Sequence, residues 1–206
     1  MYTPPYYKND NIAEVHDFIT KNSFGILVSN THSALWATHI PLELDKNDEG
    51  KDILVGHISR GNPQWKNFAD QARVLAIFSG SHSYISSSWY DHENVPTWNY
   101  IAVHVYGTIK IIAGDKLRDA LKKIVDKYES NSEHPVSVDR MSEQFLHKEM
   151  NGIIGFEIEI EEIQSAYKLS QNRDSKNHAA IIIELEKKGD AHSLAIAAEM
   201  KRHQKN

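Results

Sequence analysis

The chain of 206 residues contains no cysteine, so it can hold no disulfide and no thiolate metal site, which fits a reducing compartment. No run approaches the roughly 18 apolar residues that a membrane-spanning helix needs. Met1-Tyr2-Thr3-Pro4-Pro5 lacks the basic stretch and apolar run of a secretory signal. No membrane partner and a cytoplasmic location are therefore expected. Excess positive charge is also missing: 23 Lys and Arg stand against 28 Asp and Glu, a formal net charge of −5. That argues against wrapping nucleic acid, which relies on basic surface to release counterions from phosphates. Lys201, Arg202 and Lys205 form a local basic patch, a pattern that equally suits a solvated tail.

Several chemical signatures are absent as well. There is no G-x-x-x-x-G-K-[ST] phosphate loop, no H-E-x-x-H ligand pair and no G-x-S-x-G nucleophile turn, and the twelve histidines are scattered. No metal site and no hydrolytic triad is predicted, and no side chain is assigned a catalytic role.

What is present is an ordinary folded composition, 40% apolar and 25% charged, at a length that suits one core with helical additions. Ile12, Val15, Phe18 and Ile19 recur at helical spacing after Asp10, predicting a leading helix to Asn22. Short β-type runs follow at Phe24 to Val28, Leu35 to Leu42, Ile53 to Ser59 and Val74 to Ser79. They are separated by turn-rich Ser29 to Ser33 and Asp45 to Lys51, and read as an antiparallel meander. Asn62-Pro63 suits a helix start, with about two turns to Gln71. Thr97 to Ile112 reads as one long strand or a bent pair broken at Gly107.

Two helices are expected next, Asp115 to Ser130 and Val138 to Met150, the second with Met141 and Phe145 facing inward. From Ile154 to Glu161 apolar and polar residues alternate strictly, as in a strand with one wet face. The last thirty residues read as two helices broken at Gly189-Asp190. The fold class is a β-barrel with peripheral helices, of the α+β type. Residues 1–170 are taken as the barrel domain with inserted helices, and 171–206 as its C-terminal helical extension.

Two clusters have chemical potential. His57-Ile58-Ser59-Arg60-Gly61-Asn62-Pro63-Gln64-Trp65 leaves a strand, turns at Gly61 and enters a helix. Arg60 can fork two hydrogen bonds to a phosphate, Ser59 can add a third, and helix-start amides point outward. The same pattern also fits a capped helix with a surface arginine. Ser83 to Tyr90, followed by Val95-Pro96-Thr97-Trp98-Asn99-Tyr100, mixes aromatic and hydroxyl groups as a flat heteroaromatic ligand requires. Aromatics at strand spacing also serve as core or interface residues.

Taken together, the segments resemble the PaiB family of FMN-binding split-barrel proteins, described as negative transcriptional regulators. The resemblance is carried by Met1 to Tyr7, Ala37 to Leu42, Gly56 to Trp65, Ser83 to Tyr90, Val95 to Tyr100 and Lys168-Leu169-Ser170-Gln171-Asn172. It implies a homodimer with FMN at the subunit interface. By this resemblance Ser59 and Arg60 hold the phosphate, with Asn62 and Gln64 in the same turn. Ala37, Thr38, His39 and His57 line the ribityl and ring, and Trp98, Asn99 and Tyr100 border the isoalloxazine. Lys168 and Gln171 reach in from the partner subunit. The sequence departs from the related pyridoxamine phosphate oxidases in having Gly61 where they carry a lysine, and Lys168 is the candidate to compensate.

Three functions fit this resemblance. One is a flavin-binding transcriptional regulator or ligand sensor, for which DNA is a partner by resemblance only, because no helix-turn-helix is legible. A second is a flavin oxidoreductase, in which the cofactor carries the chemistry and no side chain need act as acid or base. The third is a haem-binding or haem-degrading split barrel. The sequence leaves open whether the protein is an enzyme.

Overall fold

The computed structural model describes residues 1–30, 34–68 and 72–204. In chain order it contains α1 (Ile12–Lys21), β1 (Phe24–Asn30), β2 (Leu35–Pro41), β3 (Glu43–Lys46), β4 (Asp52–Ser59), β5 (Arg73–Ile85) and β6 (Thr97–Ile112). There follow α2 (Gly114–Glu129), α3 (Glu143–Asn151), β7 (Ile153–Lys168), α4 (Ser175–Lys188) and α5 (Ala191–Arg202). The expected Ser29 to Ser33 turn, the Gln71 end of the helix after Asn62, and Lys205 lie wholly or partly outside the described residues. No helix among the described residues is long and apolar enough to cross a membrane.

The chain forms two compact units. The first to be considered, Ile19–Ile77 with Val105–Ile163, contains β1 to β4 and one end of each long strand β5, β6 and β7. The sheet runs in the order β2-β1-β5-β6-β7-β4-β3. A flat sheet of seven strands at roughly 4.8 Å spacing would hold its edges about 29 Å apart. Here the edge strands β2 and β3 are joined by one residue, Leu42, which can span only about 3.5 Å. The sheet must therefore curl until its edges meet, and β2 accordingly approaches β4. This is the β-barrel with peripheral helices that the sequence predicts, a split barrel of the α+β class.

Its interior follows from strand alternation. Leu27, Leu42, Leu54, Phe156 and Ile158 are fully buried, and the Phe68 and Phe156 rings meet edge to face at 5.4 Å. Packing is closest at Gly107, where a Cβ would lie 2.1 Å from the Glu159 carbonyl oxygen. Gly107 therefore admits a tight strand crossing and does not break β6, which is continuous.

Other expectations need correction. The strands do not form a simple meander: β1 pairs with β5 and β4 with β7, both antiparallel. The charged segment Glu43–Lys46 is a strand, because its ladder with Ile53, Leu54 and Val55 outweighs its polarity. After Asn62 there is only a 3-10 turn, Pro63–Asn67. The helix expected from Val138 is a short 3-10 turn followed by α3, in which Ser142 caps the Phe145 amide. Val138 and Leu146 are buried there, whereas Phe145 is half exposed.

The other unit comprises Met1–Phe18, Phe78–His104 and Gln164–Asn206. Here β5 continues to Ile85, well beyond the expected end, because Ser83 and Ile85 are buried on one side of its serine-rich end. Helices α4 and α5 form a hairpin. Gly189 ends α4 at φ +72°, Asp174 and Asp190 cap the two helix starts, and Ile181, Leu185, Ile196 and Met200 are fully buried.

Candidate functional site

In the barrel unit, the turn after β4 is organised by Gln64, a fully buried amide. Its Oε1 accepts from the Thr38 hydroxyl at 2.6 Å, and its Nε2 donates to Ser29 Oγ at 3.0 Å and to the Leu27 carbonyl at 3.2 Å. The Asn62 side chain donates to Thr38 Oγ1 at 2.9 Å and accepts from the Gln64 amide at 3.0 Å. Thr38, Asn62 and Gln64 thus form one network that fastens β2 to the turn. Gln64 stands behind the other two.

Ser59 and Arg60 lie on the exposed side of the same turn. The Ser59 hydroxyl accepts from the Gly61 amide at 3.2 Å, leaving its proton free to donate. Arg60 Nε donates to the Asn151 carbonyl at 2.7 Å and one terminal nitrogen to the Ile153 carbonyl at 3.3 Å. Its main chain is also anchored, the Arg60 amide donating to the Gly152 carbonyl and the Trp65 indole to the Arg60 carbonyl. The guanidinium is therefore held in place without a carboxylate partner among the described residues. That arrangement fits an incoming phosphate. The helix-start amides do not add to it as expected, because Gly61, Asn62 and Gln64 already donate within the turn.

Ala37 and His39 face outward from β2 and are exposed, His39 lying 6.4 Å from the Phe24 ring. His57, on β4, is half-buried, and burial holds its imidazole below the ordinary histidine range. It borders a cavity of about 250 Å³ whose walls include Val55, Leu117, Leu121 and Ile124. Two ion pairs stand at the same cavity, Lys127 with Glu43 and Lys123 with Asp45, each at 2.5 Å.

The remaining expected residues lie in the other unit. Trp98 is half exposed and meets Tyr84 edge-on at 5.8 Å and His82 at 5.9 Å, and His82 lies 4.8 Å from His192. Asn99 is fully buried, accepting from Ser170 Oγ at 3.0 Å and donating to Met200 Sδ at 3.4 Å. Tyr100 is half-buried. Ser170 adopts φ 60°, uncommon for a residue with a side chain, and its bond to Asn99 holds that turn. Lys168 and Gln171 flank it. Lys168 donates to Thr97 Oγ1, and burial, then the nearby Arg173, hold its ammonium below the ordinary lysine range. Gln171 folds back, donating to the Tyr167 carbonyl and accepting from the Leu169 amide.

Sequence reasoning missed His82, His192 and Arg173. Nothing in the sequence joins His82 to His192, more than a hundred positions apart, whereas Arg173 directly follows the Lys168-to-Asn172 motif. The fold also gathers Glu14, Glu199 and His203 within 4.8 Å of one another. Arg202 already contacts both carboxylates, at 2.6 and 2.7 Å, which offsets part of their charge.

Residues 1–162 match the family described as "Putative FMN-binding domain". The "Protease synthase and sporulation protein PAI 2" of Bacillus subtilis is 43% identical over 97% of this chain and 96% of its own length. An uncharacterized Aspergillus fumigatus protein is 27% identical over 98% of this chain and 97% of its own. Among solved structures, the FAD and haem binding protein of Mycobacterium smegmatis aligns with TM-score 0.63 at 16% identity, covering 84% of this chain and 79% of its own. The flavocytochrome Anf3 of Azotobacter vinelandii aligns with TM-score 0.62 at 13% identity, covering 86% and 78%. At those identities the likeness speaks for the fold alone. The match over residues 1–162 and the near full-length similarity to the Bacillus protein make the chain a PaiB-like member of the FMN-binding domain family, and its cofactor is FMN.

Proposed function

We propose that this protein is a cytoplasmic homodimer that holds FMN at the subunit interface and acts as a flavin-dependent sensor or negative transcriptional regulator of the PaiB kind. The observation that carries this reading is Arg60, held by the Asn151 and Ile153 carbonyls yet free of any carboxylate among the described residues. A cation fixed in that way suits a phosphomonoester, with the Ser59 hydroxyl as a second donor. Ala37, His39 and His57 would line the ribityl chain and ring, and Thr38, Asn62 and Gln64 would keep that wall in register. Trp98, Asn99 and Tyr100 would border the isoalloxazine. Of these, Trp98 offers an accessible ring face and Asn99 braces the strand from within. Lys168 and Gln171 would approach from the partner subunit.

FMN, when bound, supplies two-electron redox chemistry. The regulatory role is suggested by the similarity to the Bacillus sporulation protein. A second reading, a flavin oxidoreductase, is favoured by the cavity beside His57, whose apolar walls and neutral imidazole suit a small organic substrate.

The test is to release the bound chromophore from purified protein, identify it, and titrate the stripped protein with FMN and riboflavin. FMN is expected to be recovered, and to bind at least tenfold more tightly than riboflavin. Equal affinity for the two would overturn the phosphate grip. Rapid bleaching of the flavin by NADH or NADPH would select the oxidoreductase reading, and a gel shift that weakens with salt would select DNA binding.

A further inference from the structure

The segment after β7 lies beyond the matched family region, which ends at residue 162. There the structure encloses a polar pocket of about 250 Å³ at the start of α4, bordered by Arg173, Asp174, Ser175, His178 and His203 among others. That volume is several times the roughly 30 Å³ share of a water molecule. Three observations about its walls converge on one kind of ligand.

First, the half-buried Arg173 guanidinium has no hydrogen-bond or carboxylate partner among the described residues. It stacks over the Tyr90 ring at 5.1 Å. Stacking fixes the plane of the fork and leaves its edge available to an anion. Second, His178 is only 6% exposed, and its Nδ1 is buried without a partner. An unpartnered polar atom so deeply buried is costly unless a ligand satisfies it. Third, the carboxylates nearby are already engaged. Both Asp174 oxygens accept from Asn177, at 2.9 and 2.7 Å, and His203 Nε2 lies 2.8 Å from Glu14. The pocket therefore has an unpaired cation, and its acidic residue is turned toward the helix cap.

We infer that the Arg173–His178 pocket binds a small molecule through a phosphate group; Gln171, proposed above for FMN, also borders it, whereas the Ser59–Arg60 phosphate grip does not. Phosphate suits both walls at once. Its anionic oxygens match the guanidinium fork, and inorganic phosphate, or the monoanion of a phosphomonoester with its second pKa of about 6, carries a P–OH donor for the lone pair that a neutral imidazole leaves at Nδ1. Burial keeps His178 below the ordinary histidine range, and a main-chain contact with Leu169 only partly offsets it. Sulfate has the same shape but no proton to give, so it leaves Nδ1 unsatisfied.

The experiment uses full-length protein carrying Arg60→Ala, so that the flavin phosphate grip is disabled and cannot be mistaken for this pocket. Inorganic phosphate and sulfate are titrated by calorimetry, and histidine imidazole resonances are followed by NMR. Phosphate is expected to bind saturably, to shift the His178 resonances, and to bind at least tenfold more tightly than sulfate. Adding Arg173→Ala is expected to weaken it at least tenfold. Circular dichroism serves as the folding check, and Arg173→Lys, which keeps the charge but not the fork, is expected to restore part of the affinity. Unsaturable binding, equal affinity for sulfate, or indifference to Arg173→Ala would each overturn the inference. None of these outcomes bears on FMN binding, which is measured separately on the protein with Arg60 intact.

Discussion

The Asn62 side chain donates to the Thr38 hydroxyl at 2.9 Å, and this bond ties the edge strand β2 to the turn that follows β4. Both residues are held by Gln64, which is fully buried behind them. Replacing Gln64 with methionine keeps the volume but leaves Ser29, Thr38 and two main-chain carbonyls without its amide. The expected loss of stability is roughly 2–4 kcal/mol, since each buried polar group left unpaired costs about 1–3 kcal/mol. Urea unfolding checks it. FMN affinity should fall as well, although Gln64 itself need not touch the flavin.

Arg60→Ala removes a cation that is positioned but not neutralised. Hydrogen bonds to charged groups contribute about 1.5–3 kcal/mol, so FMN affinity should fall roughly 10- to 100-fold, at about 1.4 kcal/mol per factor of ten. Riboflavin, which lacks the phosphate, should bind the variant as it binds the parent protein. Flavin fluorescence titration distinguishes the two, and a parallel loss for riboflavin would mean that the substitution had damaged the turn.

Gly107→Ala tests the barrel. The added methyl would sit 2.1 Å from the Glu159 carbonyl oxygen, a main-chain atom that cannot swing aside. Overpacking of this kind costs about 3 kcal/mol or more. For a chain of this size that is a fall in Tm of roughly 6–12 °C. An unchanged Tm would mean that β6 and β7 do not cross as closely as described.

Acid stability follows from the buried histidines. Burial lowers the folded-state pKa of His57, His104 and His178. Below the ordinary histidine value of about 6.5 the unfolded chain therefore takes up protons that the folded chain refuses. Their contribution is fully present above that pH and is lost as pH falls toward the folded values. His203 has the opposite sign: Glu199, with Glu14 adding to it, raises its pKa, so its contribution is present at low pH and is lost as pH rises through the folded value. Three groups outnumber one, and stability should fall from pH 7 to pH 5. The fall should be shallower in His57→Gln, as urea unfolding at a series of pH values would reveal.

Much of this architecture was legible where local and global preferences agree. The β-branched run from Thr97 to Ile112 is a strand over its whole length, and Gly189-Asp190 separates α4 from α5. The misses have physical causes. Glu43–Lys46 carries no apolar alternation, and its pairing with β4 decides its state. In the sequence the β-type run ends at Ser79, because burial of Ser83 depends on the distant Ser193, whose hydroxyl lies 2.9 Å away. The Ser59-Arg60 pair was visible as a motif. The supporting roles of Gln64 and Asn99 were not, because a buried amide and a ligand-facing one look alike in sequence.

The outer face of β1 and β2 is where a second subunit is expected. Phe24, Ile26 and Val28 share that face with Leu35, Ala37 and His39 through the antiparallel register. Phe24 and Leu35 are 67% and 77% exposed, and β2 is an edge strand. Apolar surface on an exposed edge commonly marks an interface. Leu35→Asp places a charge at one end of that face without disturbing the barrel interior, because Leu35 points away from it. Light scattering should show the parent protein at twice the monomer mass and the variant as a monomer with an unchanged circular dichroism spectrum. If FMN sits between subunits, the monomeric variant should also lose most of its flavin even though Arg60 and Ser59 are intact. A monomer that kept full FMN affinity would place the whole binding site within one chain.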